Sequence, residues 1–342
     1  MAVVFREGFD TYNGSGVAPG LGATWTVNGA GNTSIQAGRI TGRCVRGRNS
    51  SALGTNNTYI EKTFSAIGTN AALGVAVMVE NVATLGTDVF IDLGSEFRLA
   101  FRNGGTVAIF RGATQLAVTS TAIVASGTWN YFEVELTISA TVGYVRVYRN
   151  GEPITDLSIT NGNTGTASIA RIAFDTRGSN AGNAARSYVS IDDIYIVDTN
   201  VRLGERTIET LYLVSDGSTL MLVPSTGTDH FAVVDETQAN TTDYLTGTNV
   251  GDLDLLGLGN LSSNPQTIDE VNIIVWALKT DAGTRAIKAG VKSGSTTSDG
   301  PDLFLATTIQ KFDRPLALNP NGNVPWTKAA VDALELQPKV SI

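Results

Sequence analysis

Two alternating runs near the middle of the chain constrain its fold more than any other segment. The first covers residues 129–136, and the second covers residues 144–149 and ends at Asn150-Gly151. Apolar and polar side chains alternate at period two in both runs, and Asn-Gly is a frequent turn of antiparallel hairpins. The pattern predicts two antiparallel strands with one face toward a core, to which the first strand contributes Phe132, Val134, Leu136 and Ile138.

Residues 1–199 carry further strand signals and predict one β-sandwich domain. The clearest is a hairpin over residues 97–111, in which Phe97, Leu99 and Phe101 alternate with arginines. Further strands are predicted at residues 59–64, 73–80, 169–175 and 188–197.

Charge and composition change along the chain and place a domain boundary at residues 199–204. Residues 1–200 carry 14 Lys and Arg against 15 Asp and Glu, whereas residues 201–342 carry 10 against 17. At 342 residues the chain is long enough for two domains, each burying its own core. The chain lacks a basic stripe, which argues against nucleic-acid binding.

The number of cysteines and the length of the apolar runs indicate where in the cell the protein is expected. Cys44 is the only cysteine, so no intrachain disulfide can form, and we expect it to be a small strand residue. The apolar run at residues 1–7 is too short for a signal peptide, and no run reaches the length of a membrane span. We therefore expect a soluble protein that is made in a cytoplasm and does not insert into a membrane.

Residues 205–342 predict a second domain that is again mostly β, with one short C-terminal helix. Thr327 can cap this helix, and Trp326 can pack on Val331 across its first turn. The helix is expected to cover about residues 327–336 and to be stopped by Pro338. Strands are predicted at residues 205–215, 219–224, 268–278, 285–292, 303–312 and 339–342.

The strand pattern resembles the laminin-G-like and concanavalin A-like jelly-roll sandwiches. The resemblance rests on the strand that begins Gly-Thr-Trp at residue 127, on Phe9-Asp10, and on the strand that carries Asp192-Asp193. It implies an all-β fold, in which a concanavalin-like jelly-roll β-sandwich is followed by a second β-rich domain. The last strand of the sandwich would pair with the first strand of the sandwich. Because this fold hosts lectins, glycosidases and structural modules alike, it does not determine the function.

Nearly the whole chain also resembles a group of tailed-bacteriophage virion proteins. The motifs are residues 193–206 at the domain junction and residues 318–327, which read L-N-P-N-G-N-V-P-W-T before the helix. The resemblance implies a non-enzymatic structural protein of the virion, in the tail tip or a fibre. The rival interpretation is a capsid decoration or head protein that cements the shell, and a third is a glycan-active enzyme.

The resemblance also implies partners and a location. We expect other virion proteins as partners, contact with a host cell-surface glycan, and assembly into the virion in the cytoplasm of a bacterial host. Two domains without disulfides gain stability and avidity from assembly, so we expect a homo-oligomer, with a trimer favoured by analogy to phage fibres. Independently of the resemblance, the arginines at positions 39, 43, 46 and 48 would either meet an acidic partner surface or lie on a solvated edge strand, where charge discourages aggregation.

Candidate catalytic groups are few. Glycoside hydrolysis needs two carboxylates roughly 5 to 9 Å apart, and the nearest approach to such a pair in the sequence is Glu133 and Glu135. Because they alternate with core residues, the pattern predicts a solvated strand face instead. His230 is the only histidine, and without a Gly-x-Ser-x-Gly motif we expect it to be a surface or half-buried residue. The sequence therefore predicts no catalytic residue and no enzyme activity.

Carboxylates also supply the weak metal candidates of the chain, which are Asp10, Asp192 and Asp193. Ca²⁺ prefers carboxylate and carbonyl oxygens, but neighbouring residues of a strand point to opposite faces. Asp252 and Asp254 share a face and lack a calcium loop. No cofactor is predicted, and Ca²⁺ is the one candidate ion.

Sugar binding needs exposed aromatic rings with Asp or Asn beside them. Several tyrosines, a tryptophan and a Gly- and Asn-rich loop offer these groups. The candidate glycan-binding residues are Tyr12, Trp25, Tyr144, Tyr148, Asn180 and Asn183.

Overall fold

The computed structural model describes residues 2–12, 19–28, 32–50, 58–86, 88–176, 186–237 and 239–342. The chain divides into two compact units, Met1–Thr210 and Leu211–Ile342, which we call the sandwich domain and the second domain. Both are built of strands, so the predicted all-β class is confirmed. In the described ranges the α-helices are α1 (Pro19–Thr24) and α2 (Lys328–Asp332), and neither has the length and apolar character needed to cross a bilayer.

The sandwich domain is formed by short antiparallel strands. In chain order they are β1 (Val3–Glu7), β2 (Thr26–Asn28), β3 (Thr33–Ala37), β4 (Arg43–Ser50), β5 (Tyr59–Thr63), β6 (Asn70–Val79), β7 (Val89–Leu93), β8 (Phe97–Phe101), β9 (Val107–Arg111), β10 (Thr114–Val118), β11 (Trp129–Thr137), β12 (Gly143–Arg149), β13 (Glu152–Pro153), β14 (Ile159–Gly162), β15 (Arg171–Asp175) and β16 (Arg186–Val197). Single 3₁₀ turns lie at Val82–Thr84, Asn103–Gly105 and Thr155–Leu157.

These strands form two sheets that pack face to face. The nine-stranded sheet has the order β13-β12-β11-β6-β16-β4-β3, with β1 beside β16 and β14 beside β12. The seven-stranded sheet has the order β10-β9-β8-β7-β15-β5-β2. The first strand pairs with the last, as the jelly-roll resemblance implies.

The core lies between the two sheets and is built from alternate residues of each strand. Phe132, Val134 and Leu136 of β11 are fully buried there, as predicted. Phe101 of β8 meets Phe132 edge to face, with ring centroids 5.1 Å apart, so this pair joins the two sheets. At the predicted turn, Asn150 has a φ of 51° and joins β12 to β13.

The sandwich domain extends beyond the predicted boundary at residues 199–204. Residues 205–212 form no strand, contrary to the prediction for residues 205–215. The backbone N–H of Ile208 donates to Asp193 instead of to a neighbouring strand, and that of Thr210 is 3.2 Å from Asp10 Oδ2. These side-chain acceptors hold the segment on the sandwich.

The second domain combines one larger sheet with two ribbons. Its strands are β17 (Leu213–Leu220), β18 (Val223–Pro224), β19 (Leu245–Thr246), β20 (Asp254–Leu258), β21 (Val271–Ala277), β22 (Ala286–Ser293), β23 (Thr296–Ser298), β24 (Leu303–Phe304), β25 (Gln310–Leu316) and β26 (Glu335–Val340), and a 3₁₀ turn lies at Phe231–Val233. The sheet has the order β17-β20-β26-β22-β23 with β24 beside β22, and the ribbons are β18-β19 and β21-β25. The strand predicted at residues 303–312 is in fact two strands, β24 and β25.

The predicted helix cap is confirmed, whereas the predicted helix end is wrong. The Thr327 side chain accepts the Ala330 N–H, and Trp326 and Val331 are buried in one core. Pro338 does not stop the helix, because the helix ends at Asp332 and Pro338 lies within β26. The ladder between β26 and β20 covers only the first two residues of β26, so the missing N–H of the proline costs no bond in that ladder.

Candidate functional site

The outer face of the nine-stranded sheet is covered by a closing segment, residues 198–210. Leu203 of this segment packs on a small cluster that includes Tyr131 and Tyr195. The Leu203 N–H also donates to the Tyr195 hydroxyl at 2.9 Å. Gly74 leaves room for that ring, since a Cβ at this position would lie 2.1 Å from Tyr195 Cε1. Part of this outer face is therefore interior.

Glu133 is 0% exposed on this face, so the predicted solvated surface is wrong at this position. The Tyr195 hydroxyl donates to Glu133 Oε1 at 2.6 Å, and Arg202 Nη1 donates to Oε2 at 2.5 Å. A carboxylate away from water requires such partners, because an unpaired buried charge is costly. The cation comes from the closing segment, which the alternation within β11 does not reveal.

Tyr144 and Tyr148, predicted to contact a glycan, lie along β12 on the same outer face. Both hydroxyls donate to Glu135 Oε2, at 3.1 and 3.2 Å. The guanidinium of Arg202 lies 4.1 Å from the Tyr148 ring centroid, and that of Arg146 lies 5.3 Å from the Tyr144 centroid. Burial, followed by the bond to Glu135, raises the pKa of Tyr144 to about 12. Both rings already engage groups of this domain, and their glycan contact stays a prediction.

The remaining predicted glycan residues do not join these two. Tyr12 and Trp25 are 0% and 3% exposed, and both rings pack near Phe9 in the main core. A ring without an exposed face cannot stack on a sugar, so neither is available for the predicted contact. Asn180 and Asn183 lie outside the described residues.

Asp192 and Asp193 both face away from the core, although adjacent strand residues are expected on opposite faces. A β-bulge in β16 explains this, because the register against β6 shifts between Asp192 and Tyr195 and Asp193 has a left-handed φ of 50°. Ile191 and Ile194 on either side both reach the core. Their spacing of three residues, where a regular strand has two, is the sequence signal of the bulge.

Asp10 lies beside this pair, so the structure brings the three weak metal candidates together. Asp10 accepts the Arg43 N–H at 2.6 Å, while the Arg39 N–H donates to Asp192 and its Nε to Asp193, both at 2.8 Å. Burial raises the pKa of Asp10 to about 6 and, with the nearby charge of Asp193, raises the pKa of Asp192 to about 8. In the part of the chain that the structure describes, no group of three or more His, Cys, Asp or Glu is arranged to hold a metal ion. These three residues stay weak candidates for Ca²⁺.

His230 and Cys44 are both buried, so His230 is less exposed than predicted. Its Nδ1 lies 2.6 Å from Asp254 Oδ2, and the other oxygen of this carboxylate accepts the N–H groups of Met221 and Leu222. Asp254 thereby links His230 to the backbone at residues 221–222. Burial raises the pKa of the Cys44 thiol to about 12, in keeping with the predicted strand residue.

The outer face of the seven-stranded sheet carries a different set of side chains. They occupy alternate positions of β5, β15, β7, β8 and β9, opposite core residues such as Ile60 and Leu99. Arg98 of β8 is in register with Asp92 of β7 and with Phe110 of β9. We call this set the open face, and it comprises Tyr59, Glu61, Phe90, Asp92, Arg98, Arg102, Phe110, Arg171 and Asp175.

Arg98 is held in place from several sides. Its Nε donates to Asp92 Oδ1 at 2.7 Å and its Nη2 to Oδ2 at 3.3 Å, while Asp175 Oδ2 lies 3.6 Å from Nη2. The guanidinium lies 3.8 Å from the Phe90 ring centroid, and Phe90 meets Phe110 edge to face at 5.7 Å. Its Nη1 has no hydrogen-bond partner within the described residues, which leaves two N–H donors for a ligand.

A second ion pair adjoins the first. Arg171 Nη1 donates to Glu61 and to the Tyr59 hydroxyl, and that hydroxyl donates to Glu61. Arg171 Nη2 lies 3.8 Å from Asp92 Oδ2, so both pairs share this carboxylate. Burial raises the pKa of Asp92, and burial together with the bond to Glu61 raises that of Tyr59. The open face is therefore a fixed network of donors and acceptors beside two aromatic rings.

The sequence alone does not reveal this network. The strands that carry Glu61, Arg98 and Asp175 are predicted, but β7, which carries Phe90 and Asp92, is not. Each strand reads as an ordinary half-exposed strand, and only the register of five strands places the residues together. The one local signal is the alternation of these polar and aromatic residues with core residues.

Comparisons with known proteins bear on the sandwich domain. No protein-family model and no curated protein matches the chain. Among solved structures, the alginate lyase Aly36B is 15% identical with a TM-score of 0.44, covering 59% of this chain and 98% of the lyase. The endo-β-1,4-glucuronan lyase from the fungus Trichoderma reesei is 12% identical with a TM-score of 0.39, covering 57% and 95%. The alginate lyase vAL-1 from Chlorella virus is 11% identical with a TM-score of 0.38, covering 57% and 99%. These similarities concern the sandwich fold and assign no chemistry to this chain.

The prediction of a non-enzymatic phage virion protein is wrong on these findings. The structures named above are polysaccharide lyases, and neither a family model nor a curated protein supports a virion component. The oligomeric state, the partners and the location stay predictions.

Proposed function

We propose that the sandwich domain belongs to a glycan-active protein and binds a sugar chain across the open face. The observation that carries the proposal is the placement of Arg98 among Asp92, Phe90 and Phe110. Carbohydrate sites combine aromatic rings, which pack against the C–H faces of sugars, with a few fixed polar groups that meet hydroxyls. The open face offers both within one patch.

Each part of the patch is preorganised for this role. The Phe110 ring is half-exposed and packs edge to face on Phe90, so little side-chain freedom is lost when a sugar packs against it. Arg98 is fixed by its paired bonds to Asp92, so its Nη1 donors hold one direction. The carboxylate oxygens of Asp92 and Asp175 supply acceptors for sugar hydroxyls.

The test is binding of the full chain to a glycan array, followed by titration calorimetry with an oligosaccharide that binds. Phe110→Ala removes the ring, and Arg98→Lys keeps the charge but removes the fork of donors. We expect each change to weaken the affinity at least about tenfold, which is about 1.4 kcal/mol. The matched control is Phe304→Ala, which removes a 60% exposed ring from the second domain and leaves the affinity unchanged.

Two outcomes would refute the proposal. One is the failure of every glycan on the array to bind, and the other is an unchanged affinity in Phe110→Ala. Circular dichroism and urea unfolding of each variant show whether a loss of binding reflects a loss of fold.

A second candidate function, cleavage of the bound glycan, is favoured by the two carboxylates near Arg98. Oxygens of Asp92 and Asp175 lie 3.3 and 3.6 Å from Arg98 Nη2. They are therefore at most about 7 Å apart, which is below the upper limit of about 9.5 Å for the carboxylate pairs of glycosidases. Burial raises the pKa of Asp92, as a general acid requires. Reducing-end release that Asp92→Asn abolishes while binding persists would establish cleavage, whereas no turnover would leave the predicted lack of hydrolase activity standing.

A further inference from the structure

The open face carries more acidic than basic side chains. Among the described residues of this face and its margin, three guanidinium groups meet four carboxylates. The cations are Arg98, Arg102 and Arg171, and the carboxylates are Glu61, Asp88, Asp92 and Asp175. The face thus carries one more negative than positive charge when all of these groups are ionised.

Each guanidinium is already committed to a carboxylate. Arg98 binds Asp92 through two nitrogens, and Arg171 binds Glu61. At the margin of the face, Arg102 Nε donates to Asp88 at 3.2 Å. No cation of this described set lacks a carboxylate partner.

These pairs decide which sugar the face can accept. A uronate or sulfate group would have to break an existing pair or approach an excess of negative charge, and both are unfavourable where water is partly excluded. A neutral hydroxyl meets no such cost, because it both donates and accepts. It can accept a hydrogen bond from Arg98 Nη1 and donate one to Asp92 or Asp175.

We propose that the open face selects neutral glycans and rejects acidic ones. This inference rests on the proposed function and deepens it by naming the substrate class. Arg98 acts here as a directed hydrogen-bond donor rather than as a counter-ion, because Asp92 neutralises its charge. Binding of a neutral sugar should then depend little on salt, since screening acts on net charge interactions.

The experiment compares oligosaccharides that differ only at C6. The probes are three matched hexasaccharide pairs: β-1,4-glucan with β-1,4-glucuronan, β-1,4-mannan with β-1,4-mannuronan, and galactan with polygalacturonate of the same linkage. With the full chain we expect at least one neutral member to bind at least about tenfold more tightly than its uronate partner. Its affinity should change by less than about twofold between about 50 and 500 mM NaCl.

A charge variant tests the physical reason. Glu61→Gln removes one carboxylate and leaves the Arg171 charge with only the more distant Asp92, which it shares with Arg98. We expect affinity for the uronate member to rise at least about threefold while affinity for the neutral member stays within about twofold. A residue with a purely structural role would weaken both members alike.

The outcomes separate this inference from the proposed function. If a uronate member binds as well as or better than its neutral partner and Phe110→Ala abolishes that binding, the open face is a glycan site but its selectivity for neutral sugars is refuted. An unchanged preference in Glu61→Gln would also refute the electrostatic reason. If no member of any pair binds, the inference is refuted, while the proposed site falls only if every glycan on the array also fails to bind.

Discussion

Replacing Arg202 with methionine isolates the free-energy cost of leaving Glu133 buried without its cation. Glu133 is 0% exposed, and it is bound only by Arg202 and the Tyr195 hydroxyl among the described residues. Methionine keeps much of the side-chain length and removes the charge and the donors. Breaking a buried ion pair from one side costs about 3–5 kcal/mol. Because the Arg202 side chain is itself 27% exposed, water can reach the pair, and we expect the lower value of about 2–3 kcal/mol.

A double-mutant cycle supplies the decisive comparison. Glu133→Gln keeps an oxygen for the Tyr195 hydroxyl and removes the buried charge, so Arg202→Met in that background should cost less than about 1 kcal/mol. Arg146→Met is the matched control. It removes an exposed arginine that lies over a tyrosine ring on the same face, and we expect a change within about 0.5 kcal/mol.

The assay is urea unfolding read by pulsed hydrogen exchange on peptides from β11, which reports on the sandwich domain alone. A loss of about 2–3 kcal/mol with a slope of about 2–3 kcal/mol/M lowers the unfolding midpoint by about 1 M. An equal cost of Arg202→Met in both backgrounds, or a cost below about 0.5 kcal/mol in the wild type, would show that the pair is not coupled and refute the reasoning.

Four further predictions follow from the same contacts. Gly74→Ala places a Cβ 2.1 Å from the buried Tyr195 ring and should destabilise the sandwich domain by about 1–3 kcal/mol in urea unfolding, and full stability would show that the ring can move. Since burial raises the pKa of Asp10 to about 6 and of Asp192 to about 8, both groups favour the folded state when protonated, and their contribution is lost as pH rises through those values. The free energy of unfolding of this domain should therefore fall by roughly 5 kcal/mol between about pH 5 and 9, and a constant or rising value would contradict the assignment. Thr327→Ala removes the helix cap and should cost about 1 kcal/mol in the second domain, whereas Thr327→Ser should restore most of it. The homo-oligomer expected from the sequence predicts a sedimentation coefficient above that of a monomer at tens of micromolar, and a monomer would exclude it.

Local sequence patterns predicted most of the strands and the all-β class. Period-two alternation places Phe132, Val134 and Leu136 in the core because each strand alone decides which side chains share a face. The Asn150-Gly151 turn and the Thr327 cap are equally local, since both depend on residues a few positions apart. The spacing of three residues between Ile191 and Ile194 also indicates the bulge, although an unbroken strand was expected there.

Only the tertiary structure decided which outer surfaces are buried and which polar groups meet. The solvated face predicted around Glu133 is interior because the closing segment, far along the chain, lies over it and supplies Arg202. The open face likewise depends on the register of five strands, which brings Arg98, Asp92 and Arg171 within bonding distance. Alternation determines which side of a strand a residue occupies. What covers that side, and which charges it meets, depends on pairing between distant segments, because those contacts are set by the packing of the whole domain.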